Sequence, residues 1–261
     1  MWSRDHNCAY TACVIDDDSS TRAGADEPEE DKKGSFWREL PVLLAIAVVV
    51  ALVVRTFALQ SFWIPSGSME NTLQRGDRVL VNKLIYDFRE PERGEVIVFK
   101  APQSWRGEPG DEDFIKRVIA VGGDTVSYDA GDGQIAVNGE PLDESSYIYT
   151  DPTTGEQDLA SKDGYEFSVT VPKGRLWVMG DHRGSSGDSR ENYIRGGEDV
   201  QRATIPVDSV VGKAFLLMWP VAHWKWLSVP DTYSGIPPPK ASELSGSCQA
   251  GRVRHPRKLF A

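Results

Sequence analysis

Three short runs hold the residue types that nucleophilic acyl chemistry requires. The first is Ile64-Pro65-Ser66-Gly67-Ser68-Met69. Two serines flanking a glycine behind a proline make a tight turn in which a hydroxyl and backbone N–H groups converge on one spot, as a nucleophile with an oxyanion site needs. Alone, such a run is more often an ordinary loop. The second, Asp113-Phe114-Ile115-Lys116-Arg117-Val118-Ile119, sets Lys116 inside an apolar, strand-like segment. An outward-facing strand lysine is the plain reading. A lysine desolvated among apolar neighbours instead loses its proton more readily and acts as a general base. The third, Gly180-Asp181-His182-Arg183-Gly184-Ser185-Ser186-Gly187-Asp188-Ser189-Arg190, is dense in groups that hydrogen-bond and pair charge, and by itself is a solvated loop.

These runs must be positioned by a β-rich body over residues 60–230. Short β-branched or alternating segments predict strands at Asp77–Val81, Glu95–Phe99, Phe114–Val121, Thr125–Tyr128, Ile135–Val137, Phe167–Val171, Arg175–Met179 and Val210–Met218. Asn138-Gly139 is a hairpin-turn signal, and Gly122-Gly123-Asp124 punctuates two strands in the same way. No sustained helical periodicity appears in this body. The fold class expected is therefore mainly β with antiparallel sheets, and residues 125–171, polar and turn-rich through the middle, read as an inserted subdomain.

Fourteen residues from Pro41 to Val54 carry no polar side chain, and Leu40–Leu59 makes twenty with Arg55 near one end. About 20 helical residues cross a hydrocarbon core of roughly 30 Å. Residues 37–59 are thus expected to form a single anchor helix, bracketed by Trp37 and Trp63 as interfacial aromatics. A mean hydropathy of −0.38 excludes a polytopic membrane protein. Residues 1–36, with Asp16 to Asp18 and Glu27 to Asp31 prominent, read as a disordered acidic tail, and residues 231–261, with a Pro237-Pro238-Pro239 run and a basic finish, as a disordered basic tail. A net charge of −10 speaks against a body that grips nucleic-acid phosphates. Cys8, Cys13 and Cys248 lie in the tails and supply neither a disulfide framework nor a four-cysteine zinc site; His6, Cys8 and Cys13 are too irregularly spaced to suggest a metal. No metal or organic cofactor is expected.

In this order, behind an apolar stretch, the PSGSM, IKR and GDxRxxSxDSR runs resemble the bacterial type I signal peptidases, membrane-bound serine proteases that remove signal peptides from exported preproteins. The resemblance spans roughly Val42 to Pro230. It implies Ser68 as nucleophile and Lys116 as general base, with the Ser66 hydroxyl and the Ser68 N–H forming the oxyanion hole. It implies further that Ser186 orients the lysine, that Asp188 and Arg190 form a structural charged pair, and that Phe62, Ile64, Pro65, Met69 and Ile115 line the pockets behind Ala-x-Ala specificity. The implied partners are exported preproteins, the lipid bilayer and the neighbouring secretion translocon, with the N-terminus cytoplasmic and the catalytic body extracytoplasmic. Asn71 departs from the family's frequent proline, Gly122-Gly123-Asp124 from Pro-Gly-Asp, and His182 from asparagine. The last raises a rival Ser68/His182/Asp188 triad. Repressor-type Ser/Lys autoproteases share the chemistry but are soluble and carry a DNA-binding module. A non-enzymatic membrane-anchored β-domain is the remaining alternative.

Overall fold

The computed structural model describes residues 33–53, 58–106, 113–161 and 164–239. Most of the acidic N-terminal tail, the basic stretch beyond residue 239 and all three cysteines lie outside them.

Helix α1 (Lys33–Val53) takes in residues before the expected 37–59 segment, residues 54–57 of that segment lie outside the described ones, and Leu59 belongs to the first strand. Its apolar side chains are exposed on every side, Leu40, Val42, Leu43, Leu44, Ile46 and Val48 to Val50 among them. Among the described residues no helix is long and apolar enough to cross a membrane.

Among the described residues the body is built on twelve strands. They are β1 (Leu59–Trp63), β2 (Arg78–Asn82), β3 (Val96–Lys100), β4 (Asp113–Val121), β5 (Thr125–Tyr128), β6 (Ile135–Val137), β7 (Glu140–Pro141), β8 (Phe167–Thr170), β9 (Arg175–Met179), β10 (Ile205–Pro206), β11 (Val210–Trp219) and β12 (Lys225–Trp226). Eight form one antiparallel sheet in the order β1-β2-β11-β3-β4-β9-β10, with β12 on β11; the other four form a second sheet, β7-β6-β5-β8. The small sheet occupies Glu140–Pro141 and its flanks within residues 125–170, and its turn is made by Asn138 and Gly139 at φ of 57° and 87°, the left-handed pair of a two-residue hairpin.

The strand patterns explain the layering. β2 alternates, burying Val79 and Val81, whereas β3 and β4 are buried on both faces and read as nearly continuous apolar runs. Three apolar clusters result. One joins the small sheet to β4 and β9 through Val126, Ile135, Phe167, Ile119, Trp177 and Met179. A second lies under β1, β2 and the Ser66–Ser68 turn, and a third packs Phe99 and Trp105 against Val118 and Val178. The strand pairing is interrupted by a register shift between Val118 and Ala120, where β4 meets β9.

One expectation is corrected here: residues 231–239 are not a disordered tail, because Tyr233 and Ile236 are buried in the first cluster and Asn138 Nδ2 donates to the Pro237 carbonyl at 2.9 Å. Short helices α2 (Ile85–Phe88), α3 (Ser189–Arg195) and α4 (Val200–Ala203) also interrupt the β body. One or two turns are too short to leave a periodic signature in sequence.

Candidate active site

The site gathers three chain segments that are distant in sequence: the turn after β1, the middle of β4 and the loop after β9. The turn is fixed at both ends. Ile64 N donates to Asp77 O at 2.9 Å and Gly76 N returns to Ile64 O at 2.9 Å, while Met69 and Leu73 are wholly buried beneath. Ser68 therefore has little freedom, and it is itself 5 % exposed.

Lys116 reaches it from β4, whose pairing with β3 sets Lys116 opposite Ile97. Its Nζ donates to Ser68 Oγ at 2.6 Å and to the Ile115 carbonyl at 3.0 Å. Among the described residues no carboxylate lies within ion-pair distance of it, and the nearest ring, Phe114, is 5.6 Å away. Burial pushes the ammonium pKa from 10.5 down to about 8; the charges of Asp188 and Asp181 oppose this and that of Arg190 adds to it. An amine that shares its proton with a serine hydroxyl near neutral pH can serve as a general base.

Ser66 Oγ donates to Ser68 Oγ across 3.4 Å, so both hydroxyls face one space. Asp188 and Arg190 form a buried pair at 2.7 Å, and Asp188 Oδ2 also accepts from Gly180 N at 3.0 Å, pinning the loop to the end of β9. Burial pushes the Asp188 carboxyl up, but the Arg190 guanidinium outweighs it and holds the pKa below the usual range. Gly180 is required by space: a Cβ there would lie 2.3 Å from Ser186 Oγ and 2.4 Å from Ser68 O. Ser186 is drawn in against this backbone with its hydroxyl toward the Asp188 carboxylate, whose pKa it helps hold down, and its Oγ makes no hydrogen bond to Lys116.

The rival triad does not assemble. His182 Nδ1 faces Glu70 Oε2 at 2.9 Å and the Gly67 carbonyl at 3.2 Å, and Asp188 is engaged with Arg190. Asn71 sits at φ 78°, a left-handed conformation that proline's ring forbids and asparagine tolerates.

A cleft of about 370 Å³ opens beside Ser68 and Lys116, lined by Pro65, Ser66, Trp105, Asp113, Phe114, Ile115, Ser185 and Gly187. Of the residues expected to line substrate pockets, Pro65 and Ile115 border this cleft. Ile64 and Met69 are 1 % and 0 % exposed and belong to the core beneath the turn; Phe62 packs partly buried against the same cluster. Trp105 and Phe114 were not foreseen. Phe114 lies two residues from the lysine within a strand, where alternation puts it on the same face, so that signal was readable. Trp105 comes from a short turn between strands and carries no sequence pattern that leads to the cleft.

Residues 37–219 match the family described as Signal peptidase, peptidase S26. This chain belongs to that family. It is 41 % identical over 239 residues to the signal peptidase I of Mycobacterium tuberculosis, covering 78 % of this chain and 80 % of the relative. A probable signal peptidase I-2 of Synechocystis is 36 % identical over 194 residues, covering 74 % and 78 %. A solved signal peptidase I from Enterococcus faecalis is 25 % identical, covering 48 % of this chain and 97 % of that one at a TM-score of 0.32. Membership thus rests on sequence, and the mainly β, antiparallel body agrees with it. Among the described residues no cluster of metal-ligating side chains is found.

Proposed function

We propose that this chain is a membrane-bound serine endopeptidase that cleaves signal peptides from exported preproteins after Ala-x-Ala-type boundaries with a Ser68/Lys116 dyad. The observation that carries the reading is the 2.6 Å contact between Ser68 Oγ and the Nζ of buried Lys116, which no carboxylate among the described residues touches. Neutral Lys116 takes the Ser68 proton as Oγ attacks the scissile carbonyl, and the oxyanion is met by the Ser68 N–H and the Ser66 hydroxyl. Collapse breaks the C–N bond, and the Lys116 ammonium returns its proton to the leaving amine of the mature protein. Water, deprotonated by Lys116, then hydrolyses the signal-peptide acyl ester and restores Ser68. Asp188 and Arg190 hold the loop that closes this site, and Ser186 would complete it by turning toward Lys116.

The small cleft beside Ser68, walled by Ile115 and Phe114, supports a preference for small side chains near the scissile bond. The membrane reading rests on the apolar character of α1 on all sides, continued in sequence to Leu59; in this reading residues 37–59 anchor the chain, the N-terminus is cytoplasmic, and the body works outside beside the translocon. Anchoring confines enzyme and the substrate's apolar segment to one surface and raises their effective concentration. No metal or organic cofactor takes part in these steps.

The test is cleavage of a purified preprotein with an Ala-x-Ala boundary by the full chain in detergent. Wild type should cut, and Ser68→Ala and Lys116→Ala should not. Preserved cutting by Lys116→Ala with loss in His182→Ala would replace the dyad by the triad. A wild type that never cuts would move the non-enzymatic membrane domain to the front.

A further inference from the structure

Resting on that reading, the Ser68 N–H must point at the oxyanion, and nothing in the dyad fixes its direction. A trans peptide sets its C=O and N–H on opposite sides. The Gly67–Ser68 peptide is trans, since the cis bond among the described residues is Trp219–Pro220. Whatever holds the Gly67 carbonyl therefore aims the Ser68 N–H, which itself has no acceptor among the described residues.

Two donors hold that carbonyl. Glu70 N donates to it at 3.0 Å from within the turn, and His182 Nδ1 approaches it at 3.2 Å from the loop after β9. Nδ1 also lies 2.9 Å from Glu70 Oε2. Both of its partners are acceptors, so Nδ1 carries a proton and the ring nitrogen is a donor to the Gly67 carbonyl. The same residue holds the next carbonyl along, as His182 N donates to Ser68 O at 3.2 Å. The ring is fixed by the Tyr149 ring stacked on it, with centroids 3.9 Å apart and planes 18° from parallel. Tyr149 is tied by its own N–H to Asp181 O at 2.9 Å. Nε2 is 3.8 Å from Asp158 Oδ2, beyond hydrogen-bond reach, so Nδ1 makes the polar contacts of the ring.

We propose that His182, oriented by Glu70 and Tyr149, is a positioning residue that holds the Gly67 carbonyl and thereby aims the Ser68 N–H into the oxyanion site. It touches neither reacting atom. Its contribution belongs to the tetrahedral state, where the oxyanion exists, and not to ground-state substrate binding.

The experiment uses the full chain in detergent, the same preprotein, and a peptide boronate carrying the Ala-x-Ala sequence, whose adduct with a serine places an oxygen in the oxyanion site. His182→Ala should lower kcat about tenfold with KM unchanged within about twofold, and weaken the boronate by a matching factor. His182→Asn should recover most of both, because asparagine Nδ2 stands the same number of bonds from Cα as histidine Nδ1. His182→Gln, whose amide nitrogen is one bond farther out, should not. Thermal unfolding of all three variants separates the effect from folding; where His182→Ala is unstable, the contrast of Asn with Gln carries the test. The inference alone fails if Ser68→Ala and Lys116→Ala are dead while His182→Ala keeps full kcat or full boronate affinity, or if Asn is no better than Gln. Loss in His182→Ala as complete as in Lys116→Ala, unrescued by Asn, overturns it in favour of a direct proton-transfer role. If wild type does not cut, or Ser68→Ala still does, the peptidase reading itself is lost.

Discussion

Lys116 and Arg117 are consecutive residues of one strand, point to opposite faces, and are almost equally buried at 4 % and 2 % exposure. Their surroundings differ chiefly in whether a carboxylate meets the cation. Arg117 meets the Asp181 carboxylate with two parallel bonds, Nε to Oδ1 at 2.9 Å and Nη2 to Oδ2 at 2.6 Å, donates to Gly94 O at 2.9 Å, and stacks 4.3 Å over the Tyr147 ring. Burial opposes its charge, but Asp181 outweighs that and raises the guanidinium pKa above its ordinary value. Lys116 meets a hydroxyl and a carbonyl instead, and burial prevails. Equal desolvation thus leaves a permanent structural cation on one face and a titratable base on the other, because a guanidinium starts from a far higher pKa than an ammonium and the Asp181 carboxylate holds it up further, whereas Lys116 has no carboxylate in contact among the described residues.

The largest test of this contrast removes the lysine on one face and the arginine's partner on the other. Lys116→Ala should lower kcat by about 10³-fold or more while leaving the fold intact, since it deletes the proton acceptor and little structure. Preprotein cleavage and thermal unfolding on the same samples check it. On the opposite face, Asp181→Leu leaves the Arg117 charge buried and unpaired, and should destabilise the protein by about 3–5 kcal/mol in denaturant unfolding. The double variant Arg117→Met/Asp181→Leu should recover most of that. If Asp181→Leu is neutral, Arg117 is not the structural cation argued here.

The face bearing Lys116 was partly legible before any coordinates. Period-two apolar runs predicted Thr125–Tyr128, Ile135–Val137 and Arg175–Met179 with the bounds they have, and β3, β4 and β11 within one or two residues. Such strands are specified locally by alternation and by turn residues. Closure of Ser68 on Lys116 could be named from the three runs but not measured, because it depends on antiparallel pairing across many residues. The Arg117 face was not legible at all. Asp181 is one of several acids in its loop, and only the fold selects it as the partner. Whether Ile64 and Met69 face the cleft or the core could not be read for the same reason: an apolar residue beside a serine turn reads alike whether it lines a cleft or floors it. Trp105 and the Tyr149 stack on His182 are placed by loops, where sequence pattern carries least.

The titration of Lys116 should also appear in stability. Between its folded pKa of about 8 and its ordinary 10.5, the unfolded chain holds a proton that the folded chain has lost. The unfolding free energy therefore rises with pH across that window, by at most about 1.4 kcal/mol per pH unit, while below about pH 8 both states are protonated and the buried ammonium's cost is fully present. Denaturant melts of wild type against Lys116→Met at several pH values isolate this slope, because other titrating groups are common to both proteins. Equal slopes in the two proteins would mean that Lys116 keeps its proton, as Arg117 does.

The smallest effect expected concerns how far the lysine is from being paired. Asp188 does not touch Lys116, yet its charge is the largest single influence holding the lysine pKa up against burial. Asp188→Asn removes that charge and keeps a side chain able to cap α3, where Asp188 now accepts from Arg190 N at 3.1 Å. It also leaves the Arg190 charge uncompensated, which pushes the lysine pKa the same way. In wild type, kcat/KM for preprotein cleavage should climb with pH through about 8 as Lys116 loses its proton. In Asp188→Asn that rise should move to lower pH, within the range where circular dichroism shows the variant folded. A rise that stays in place would mean that Asp188 reaches Lys116 only through the shape of its loop; a rise displaced upward would mean that Arg190, released from Asp188, has drawn another carboxylate toward the lysine and turned it toward the state of its neighbour.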